Sequence, residues 1–285
     1  MGYVDDVFST SLWTGDDTAS RAIVNGIDNT EGGLVWTKDR ENANHHQLYD
    51  TERTTSYYLD SSSTGAQGFQ SGKLVSFNNN GFSIGNAAGG PIPLNFNGRD
   101  FVGWNFRKAP GWFDVVTWNG NSTSGRQIAH SLGSKPGCIM IKCTSGQTSS
   151  DWIVYHQSLG ATKNLRLNKT DAAQASAWPF VDTEPTSTHF TVSADAWVNG
   201  AASSTYVAYV FAHDDAQFGT GGNESIIKCG SYTGNGSTTG PVINLGFEPQ
   251  FLMVKQTSQS GANWVMVDTM RGMTADGEDR QLYAN

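Results

Sequence analysis

Adjacent carboxylates are the first residues in this chain whose types and spacing could do chemistry. They occur at Asp5-Asp6, Asp16-Asp17 and Asp214-Asp215. A glycosidase needs two carboxylates a few ångström apart, one of which acts as an acid. These pairs lie beside small or polar residues in predicted loops, and no spacing brings two of them together across a groove. We therefore interpret them as solvated turn residues, with a weak calcium site as the alternative.

The histidines and cysteines give no stronger indication of a metal or a nucleophile. His45 and His46 could supply metal-binding nitrogens, but adjacent residues of a strand point to opposite faces. Cys138, Cys143 and Cys229 lack Cys-x-x-Cys spacing and are odd in number, which favours buried free thiols. We predict no metal and no cofactor.

No motif of nucleophilic or phosphate chemistry is present. No Ser or Cys lies in a nucleophile-elbow setting. The glycines of Gly219-Thr220-Gly221-Gly222 precede a predicted strand, whereas a phosphate loop lies between a strand and a helix. The sequence therefore predicts a protein that is not an enzyme.

Composition limits the fold and the partners. The net charge is -8, which disfavours nucleic acid and anionic lipid because both need a basic face. No window has the 18 or so apolar residues of a membrane span, so we expect no membrane insertion. Charged residues are only 15% and glycines number 33, which favours turns between short strands over surface helices. The fold class predicted is all-β.

An internal repeat organises the elements that would position any site. The strongest matches join residues 118–121 to 232–235, 131–136 to 244–249, 139–142 to 252–255 and 151–154 to 263–266. The N-terminal third matches the middle of the chain in the same way: 12–15 matches 117–120, 33–38 matches 137–142, 81–84 matches 189–192, and 101–106 matches 206–211. We infer three units of about 105 residues (101 to 206), built as β-sandwich or jelly-roll modules.

The repeat sets the expected boundaries. A docking segment (1–7) precedes unit 1 (8–107), a linker (108–112), unit 2 (113–212), a Gly-rich linker (213–225) and an incomplete unit 3 (226–285). Unit 3 stops at the equivalent of Asn168, about 44 residues (212 minus 168) before the end of unit 2. We expect the natural protein to be longer; strand donation by a neighbouring chain is the alternative.

The aromatic residues separate into recurring and unmatched ones. Trp13, Trp118 and Tyr232 recur between units and are predicted to be core residues. Trp178 and Trp197 have no aromatic match in unit 1 and are flanked by polar residues, so they are the candidates for glycan contact. An exposed or interface tryptophan without a ligand is the alternative.

Several strings resemble repeated domains of virion proteins from marine tailed phages, including cyanophages. They lie at residues 7–15, 32–38, 48–53, 82–85, 104–108, 128–133 and 225–234, and so cover nearly the whole chain. The resemblance implies a structural protein of the virion and carries over no catalytic residue.

From this resemblance we expect a tail or head fibre, made in the host cytoplasm and located in the virion. Its N-terminal residues would dock on other tail or capsid proteins, which makes Tyr3, Val4, Asp5 and Asp6 the docking candidates. Distal modules would reach a host-surface glycan, and a homo-oligomer, with a trimer favoured, would add multivalency. The alternatives are a capsid-decorating protein and a glycan depolymerase.

Overall fold

The fold is all-β, as the composition predicts. A computed structural model of the chain describes residues 2–86, 94–273 and 280–285. Within these residues the one α-helix is a single turn, and three short 3₁₀ turns cover Val4–Asp6, Asn29–Glu31 and Thr269–Arg271. All strand pairs between named strands are antiparallel.

Unit 1 contains nine strands in two sheets. The larger sheet has the order β1-β9-β3-β4-β5-β6 and the smaller has the order β2-β8-β7. The strands are β1 (Phe8–Thr14), β2 (Arg21–Val24), β3 (Gly33–Asp39), β4 (Gln47–Asp50), β5 (Tyr57–Asp60), β6 (Gly68–Phe69), β7 (Leu74–Asn78), β8 (Gly81–Ile84) and β9 (Asp100–Arg107).

Unit 2 repeats this plan with fewer strands. Its larger sheet has the order β10-β16-β12-β13-β14, and its smaller sheet pairs β11 with β15. The elements are β10 (Phe113–Asn119), β11 (Arg126–Ala129), β12 (Pro136–Ser145), β13 (Ile153–His156), β14 (Leu165–Arg166), β15 (His189–Val192), α1 (Ala196–Asn199) and β16 (Thr205–Ala212).

Unit 3 forms only one three-stranded sheet among its described residues. The order is β17 (Phe251–Val254), β18 (Val265–Asp268) and β19 (Leu282–Tyr283). The strand expected soon after Ile226 is not formed there. Tyr232, expected in a core, is 53% exposed, because no second sheet of unit 3 lies against it in the described chain.

The first and last strands of units 1 and 2 have the same register. Trp13 lies opposite Phe101 and stacks on it at 5.6 Å, while Trp118 lies opposite Tyr206 and stacks on it at 5.4 Å. Phe106 and Phe211, the matched residues at the other end, lie opposite Phe8 and Phe113. The matched aromatics therefore occupy equivalent places.

Each of these two units has an outer core between its larger and smaller sheets. In unit 1 it contains Trp13, Val35, Tyr49, Phe82 and Phe101. In unit 2 it contains Trp118, Ile139, Ile141, Phe190 and Tyr206. The indole N–H groups are satisfied locally, since Trp13 Nε1 donates to Leu94 O and Trp118 Nε1 donates to Val198 O.

A further core, here called the central core, joins all three units, so they are not the separate modules that the repeat suggests. Unit 1 contributes Leu34, Trp36, Leu48, Trp104 and Phe106; unit 2 contributes Cys138, Met140, Trp152, Tyr209 and Phe211; unit 3 contributes Trp264, Met266 and Ala284. Because one face of each larger sheet is covered by other units, strands such as β3 are buried along their whole length.

The faces of β9 show how the two kinds of core are divided. Its large residues Val102, Trp104 and Phe106 point into the central core. Gly103 faces its own unit's outer core, where an added Cβ would lie 3.0 Å from the Trp13 ring. The small residues thus admit the unit's own second sheet, and the large ones bind the other units.

Candidate functional site

The contact between units 1 and 2 contains a buried ion pair. The carboxylate of Asp50, at the end of β4, accepts from Arg53 N at 2.9 Å and Arg53 Nε at 2.7 Å. Tyr209 of unit 2 donates its hydroxyl to Asp50 Oδ2 at 2.8 Å and accepts from Arg53 Nη2 at 3.1 Å. Burial raises the pKa of Tyr209 well above its ordinary value, so its hydroxyl keeps its proton. This group positions two units; Asp50 and Tyr209 are fully buried, and Arg53 is 8% exposed.

Unit 3 makes the same contact with unit 1. Asp268, at the end of β18, accepts from Arg271 N at 2.9 Å and Arg271 Nε at 2.6 Å. Trp104 of β9 donates its indole N–H to Asp268 Oδ2 at 3.0 Å. Trp104 and Tyr209 are matched residues of the closing strands (104 plus 105 is 209), so one kind of joint is used twice.

A second set of contacts closes a ring of units. Trp152 Nε1 of unit 2 donates to Asp60 O of unit 1 at 3.0 Å, and Trp264 Nε1 of unit 3 donates to Arg166 O of unit 2 at 2.9 Å. His46 holds the matching position in unit 1, and its Nε2 lies toward the backbone of Tyr283 in unit 3, short of full hydrogen-bond geometry. Each unit therefore reaches the next in one direction around the central core.

His46 is a structural residue in this ring. Burial, with the nearby charges of Lys38 and Arg271, lowers its pKa to about 3, so it is neutral. Its Nδ1 accepts from Trp36 Nε1 at 3.0 Å, and its ring stacks on Trp104 at 5.9 Å. His45 is exposed and contacts Ser62. The two histidines thus have different partners.

Recurring lysines also join neighbouring units. Lys142 Nζ of unit 2 donates to Ser150 O in its own unit and to Ser63 O of unit 1 at 3.4 Å. Lys255 Nζ, its match in unit 3, donates to Ala262 O at 3.0 Å and to Thr170 O of unit 2 at 3.3 Å. Desolvation lowers the pKa of both ammonium groups, to about 8 for Lys142.

A cleft of about 630 Å³ opens between units 1 and 2, above the Asp50–Arg53 pair. Hydroxyl, amide and aromatic groups dominate its lining, with Tyr57, Gln67, Asn119, Thr144 and Thr205 among them. Thr54 on its rim has φ 72°, which is rare for a β-branched residue. The charged residues Glu52 and Arg53 also line the cleft. The sequence gives no sign of this cleft because its two walls come from different units.

The two tryptophans chosen from the sequence are brought together. Trp178 and Trp197 pack edge to face, with ring centroids 5.9 Å apart, and both are half-buried against the outer core of unit 2. Asp195 caps α1 by accepting from Trp197 N at 2.8 Å. The guanidinium of Arg166 lies 5.4 Å from the Trp197 ring centroid. An aromatic surface beside a charged donor is suited to stacking a sugar ring.

The N-terminal candidates lie on the surface of the body. Tyr3, Asp5 and Asp6 are exposed, while Val4 packs against the central core. The Tyr3 hydroxyl is 2.9 Å from Thr220 Oγ1 in the 213–225 linker, and Gly219 N donates to Gly2 O at 3.1 Å. This segment is therefore held against the linker; Met1 lies outside the described residues.

The remaining residues considered from the sequence are Asp16 and the three cysteines. Asp16 accepts from Thr18 and Asn95, which lowers its pKa to about 2. Cys138, Cys143 and Cys229 are free, and burial raises the pKa of all three thiols. Across residues 2–86, 94–273 and 280–285, no group of three or more His, Cys, Asp or Glu could hold a metal ion. No helix in the described chain is long and apolar enough to span a membrane.

These features define an all-β protein of three units joined around one core. The chain belongs to the family described as a domain of unknown function, DUF7483, whose model matches residues 4–285. No curated protein matches it, and no solved structure matches it.

Proposed function

We propose that this protein is a non-enzymatic structural component of a tailed-phage virion, built from repeated copies of one β-sandwich-like module. The observation that carries this is the ring of contacts between units. Buried ion pairs, indole N–H groups and lysines hold the three sheets together. A connected network of buried polar contacts makes a body rigid, which suits a structural building block. The resemblance to virion proteins of marine tailed phages supports the location.

Within the virion we favour a tail or head fibre that is anchored at its N-terminal side and contacts a host-surface glycan. The Trp178–Trp197 pair is the proposed glycan contact. Tyr3, Asp5 and Asp6 are exposed on the side of the body where the chain begins, which is compatible with docking on another virion protein. A homo-oligomer, with a trimer favoured, remains part of this proposal because multivalency strengthens weak glycan contacts.

Gold-labelled antibodies against the protein, applied to purified particles of its phage, test the location. Label on tail or head fibres supports the proposal. Label spread over the capsid would establish the capsid-decorating alternative, and absence of the protein from purified particles by mass spectrometry would overturn both.

The depolymerase alternative has its own test. The protein is incubated with exopolysaccharide from the host, and chain length is followed by size-exclusion chromatography. Unchanged length is expected. Progressive shortening would show that the protein is an enzyme and that its catalytic residues have been overlooked.

A further inference from the structure

One of the three matched contacts that close the ring of units is made by a titratable side chain. Trp152 and Trp264 each donate an indole N–H to a backbone oxygen of another unit, at 3.0 and 2.9 Å. In unit 1 the matching position holds His46, whose Nε2 lies toward the backbone of Tyr283 in β19 of unit 3. An indole is a donor only, whereas an imidazole changes its charge near pH 6.5. Of these three contacts, acid can therefore alter the one at His46.

The surroundings of His46 fit the neutral ring. His46 is 2% exposed, and its ring stacks on Trp104 at 5.9 Å. Nδ1 accepts a hydrogen bond from Trp36 Nε1 at 3.0 Å, which places the proton of the neutral ring on Nε2, on the side of Tyr283. A second proton would have to bind at Nδ1. It would then point at the indole N–H of Trp36, so that a hydrogen bond is replaced by two opposed donors.

The charges that act on His46 also oppose a positive ring. They belong to Lys38 of β3, Arg271 of unit 3 and the adjacent His45. The nearby carboxylate of Asp268 is already paired with Arg271, at 2.6 Å from its Nε. Burial, followed by these cations, lowers the pKa of His46 from 6.5 to about 3. A proton on His46 would thus be a buried charge without a partner.

The contact holds β19 against unit 1. Next to Tyr283, Ala284 is fully buried, and its carbonyl oxygen accepts a hydrogen bond from Ser61 of unit 1. On its other side, β19 pairs with β18 and Leu282 packs against the central core. Loss of the contact at His46 would therefore loosen unit 3 from unit 1 at the place where the ring closes.

We propose that the contact between His46 and the backbone of Tyr283 is a pH-sensitive joint, in which protonation of His46 releases β19 from unit 1 and opens the ring of units. In the opened state β19 has left unit 1 and the imidazole is exposed to water. The two tryptophan contacts do not titrate, so the joint between units 3 and 1 responds to acid first.

The direction of the effect follows from proton linkage. The pKa of His46 is about 3 in the closed protein and returns toward 6.5 when the ring is exposed. Between these two values the opened state binds a proton that the closed state does not, so the opening equilibrium rises by about tenfold for each pH unit of acidification. Above pH 6.5 both states are neutral at His46, and this contribution is constant.

Hydrogen exchange of the whole protein tests the joint. Exchange at residues 282–284 is measured from pH 7.5 to pH 4 and corrected for the intrinsic pH dependence of amide exchange. We expect the corrected opening of these residues to be constant above pH 6.5 and to rise by about tenfold for each pH unit below it. Opening that is unchanged between pH 7 and pH 4 would overturn the proposal.

Matched variants assign the effect to His46. His46→Asn keeps an acceptor for Trp36, and His46→Gln keeps a donor toward Tyr283; neither variant can take up a proton there. Relative to the unchanged protein, both should lose about tenfold per pH unit from the acid slope, whatever their opening at pH 7. His45→Gln removes the adjacent, exposed imidazole and should keep the slope. An equal slope in the His46 variants and the unchanged protein would overturn the proposal.

The difference between proteins is the quantity that matters, because other buried histidines also respond to acid. Burial lowers the pKa of three further imidazoles, which are present in every variant: His130, His156 and His213.

Ring nitrogen-15 NMR of the unchanged protein needs no variant. At pH 5.5 the His46 ring should be neutral with its proton on Nε2. A charged ring at that pH, or a neutral ring with its proton on Nδ1, would overturn the proposal. The antibody labelling of particles is independent of either result.

Discussion

The indole N–H of Trp104 and the carboxylate of Asp268 are 3.0 Å apart, although they lie in units 1 and 3. Asp268 is fully paired with Arg271, and both are buried, so this bond joins an aromatic ring to a charged pair inside the protein. Hydrogen bonds to charged groups are stronger than neutral ones by about a factor of two. This joint should therefore contribute to stability more than an ordinary indole contact does.

Replacement of the indole tests that joint. Trp104→Phe removes the N–H but keeps an aromatic ring, and Trp13→Phe makes the same change where the acceptor is a neutral carbonyl, Leu94 O. We expect Trp104→Phe to lower the free energy of unfolding by about 1–2 kcal/mol more than Trp13→Phe. Urea denaturation of both variants measures the difference. Equal losses would mean that the charge on Asp268 adds nothing.

Trp118 tests the outer core of unit 2. Its ring is 8% exposed, stacks on Tyr206 and contacts Phe190 edge to face at 5.9 Å. We expect Trp118→Ala to cost about 3–5 kcal/mol, as for other large-to-small changes in a core. Val24→Ala, at an exposed position of β2, serves as the control. A loss below about 1 kcal/mol for Trp118→Ala would mean that the ring is not packed as described.

The central core predicts that the three units unfold together. Calorimetry should show one transition whose van't Hoff and calorimetric enthalpies agree. Trp264→Ala removes a unit 3 residue that is 5% exposed and donates to Arg166 O. Hydrogen exchange should then quicken in β4 and β13 as well as in β18. Acceleration confined to β18, or separate calorimetric peaks, would show that the units are independent.

Lys73 predicts a rise in stability with pH. Its side chain is fully buried, its Nζ has no hydrogen-bond partner in the described chain, and desolvation lowers its pKa from 10.5 to about 8. Between pH 8 and 10.5 the unfolded chain keeps a proton that the folded protein has lost, so the free energy of unfolding increases, by at most about 1.4 kcal/mol per pH unit. Below pH 8 this contribution is flat.

The variant Lys73→Met should lose the share of that rise that comes from Lys73 while retaining the fold, because the side-chain volume is similar. Lys142, whose pKa is also lowered to about 8, should keep its own contribution. Lys163→Met, at an exposed position, is the matched control and should keep the rise. Denaturation series at pH 7, 8, 9 and 10 compare the three proteins. A parallel pH profile in Lys73→Met would show that Lys73 keeps its proton throughout.

The paired tryptophans predict where a glycan binds. On an array of host-surface glycans, Trp197→Ala should lower affinity at least tenfold, which corresponds to about 1.4 kcal/mol. Tyr57→Ala, in the cleft between units 1 and 2, should leave affinity unchanged. The opposite result would move the glycan to the cleft, and loss in neither variant would remove both surfaces as candidates.

Much of the fold could be predicted from the sequence because strands and turns are local. Apolar runs bounded by Gly, Asn and Pro indicate the strands, and the repeat places Trp13 and Trp118 at equivalent positions. The pairing of Trp178 with Trp197 could not be predicted, since the two residues are far apart in sequence and meet only through the fold of unit 2.

The central core was missed for a physical reason. Alternation in β9 shows one large face, which suits a single core, and does not reveal that Gly103 faces a second one. The run Cys138-Ile139-Met140-Ile141 could have indicated this second core, because an unbroken apolar run is typical of a strand buried on both faces. The cleft and the ring depend on contacts between units, which no local pattern describes.

The ring of units closes where Ala284 O accepts a hydrogen bond from Ser61 and where Tyr283 lies against His46. Because Tyr283 and Ala284 are synthesised long after unit 1, the ring can close only late in synthesis. A ribosome delivers unit 1 first, and its large sheet can form at once. The face that bears Trp36 and Trp104 stays partly uncovered until residues of unit 3 have emerged; Asp268, the partner of Trp104, lies 164 positions later. During synthesis the nascent chain thus presents a broad aromatic surface, and chaperones that hold such surfaces should determine how much protein reaches its final form.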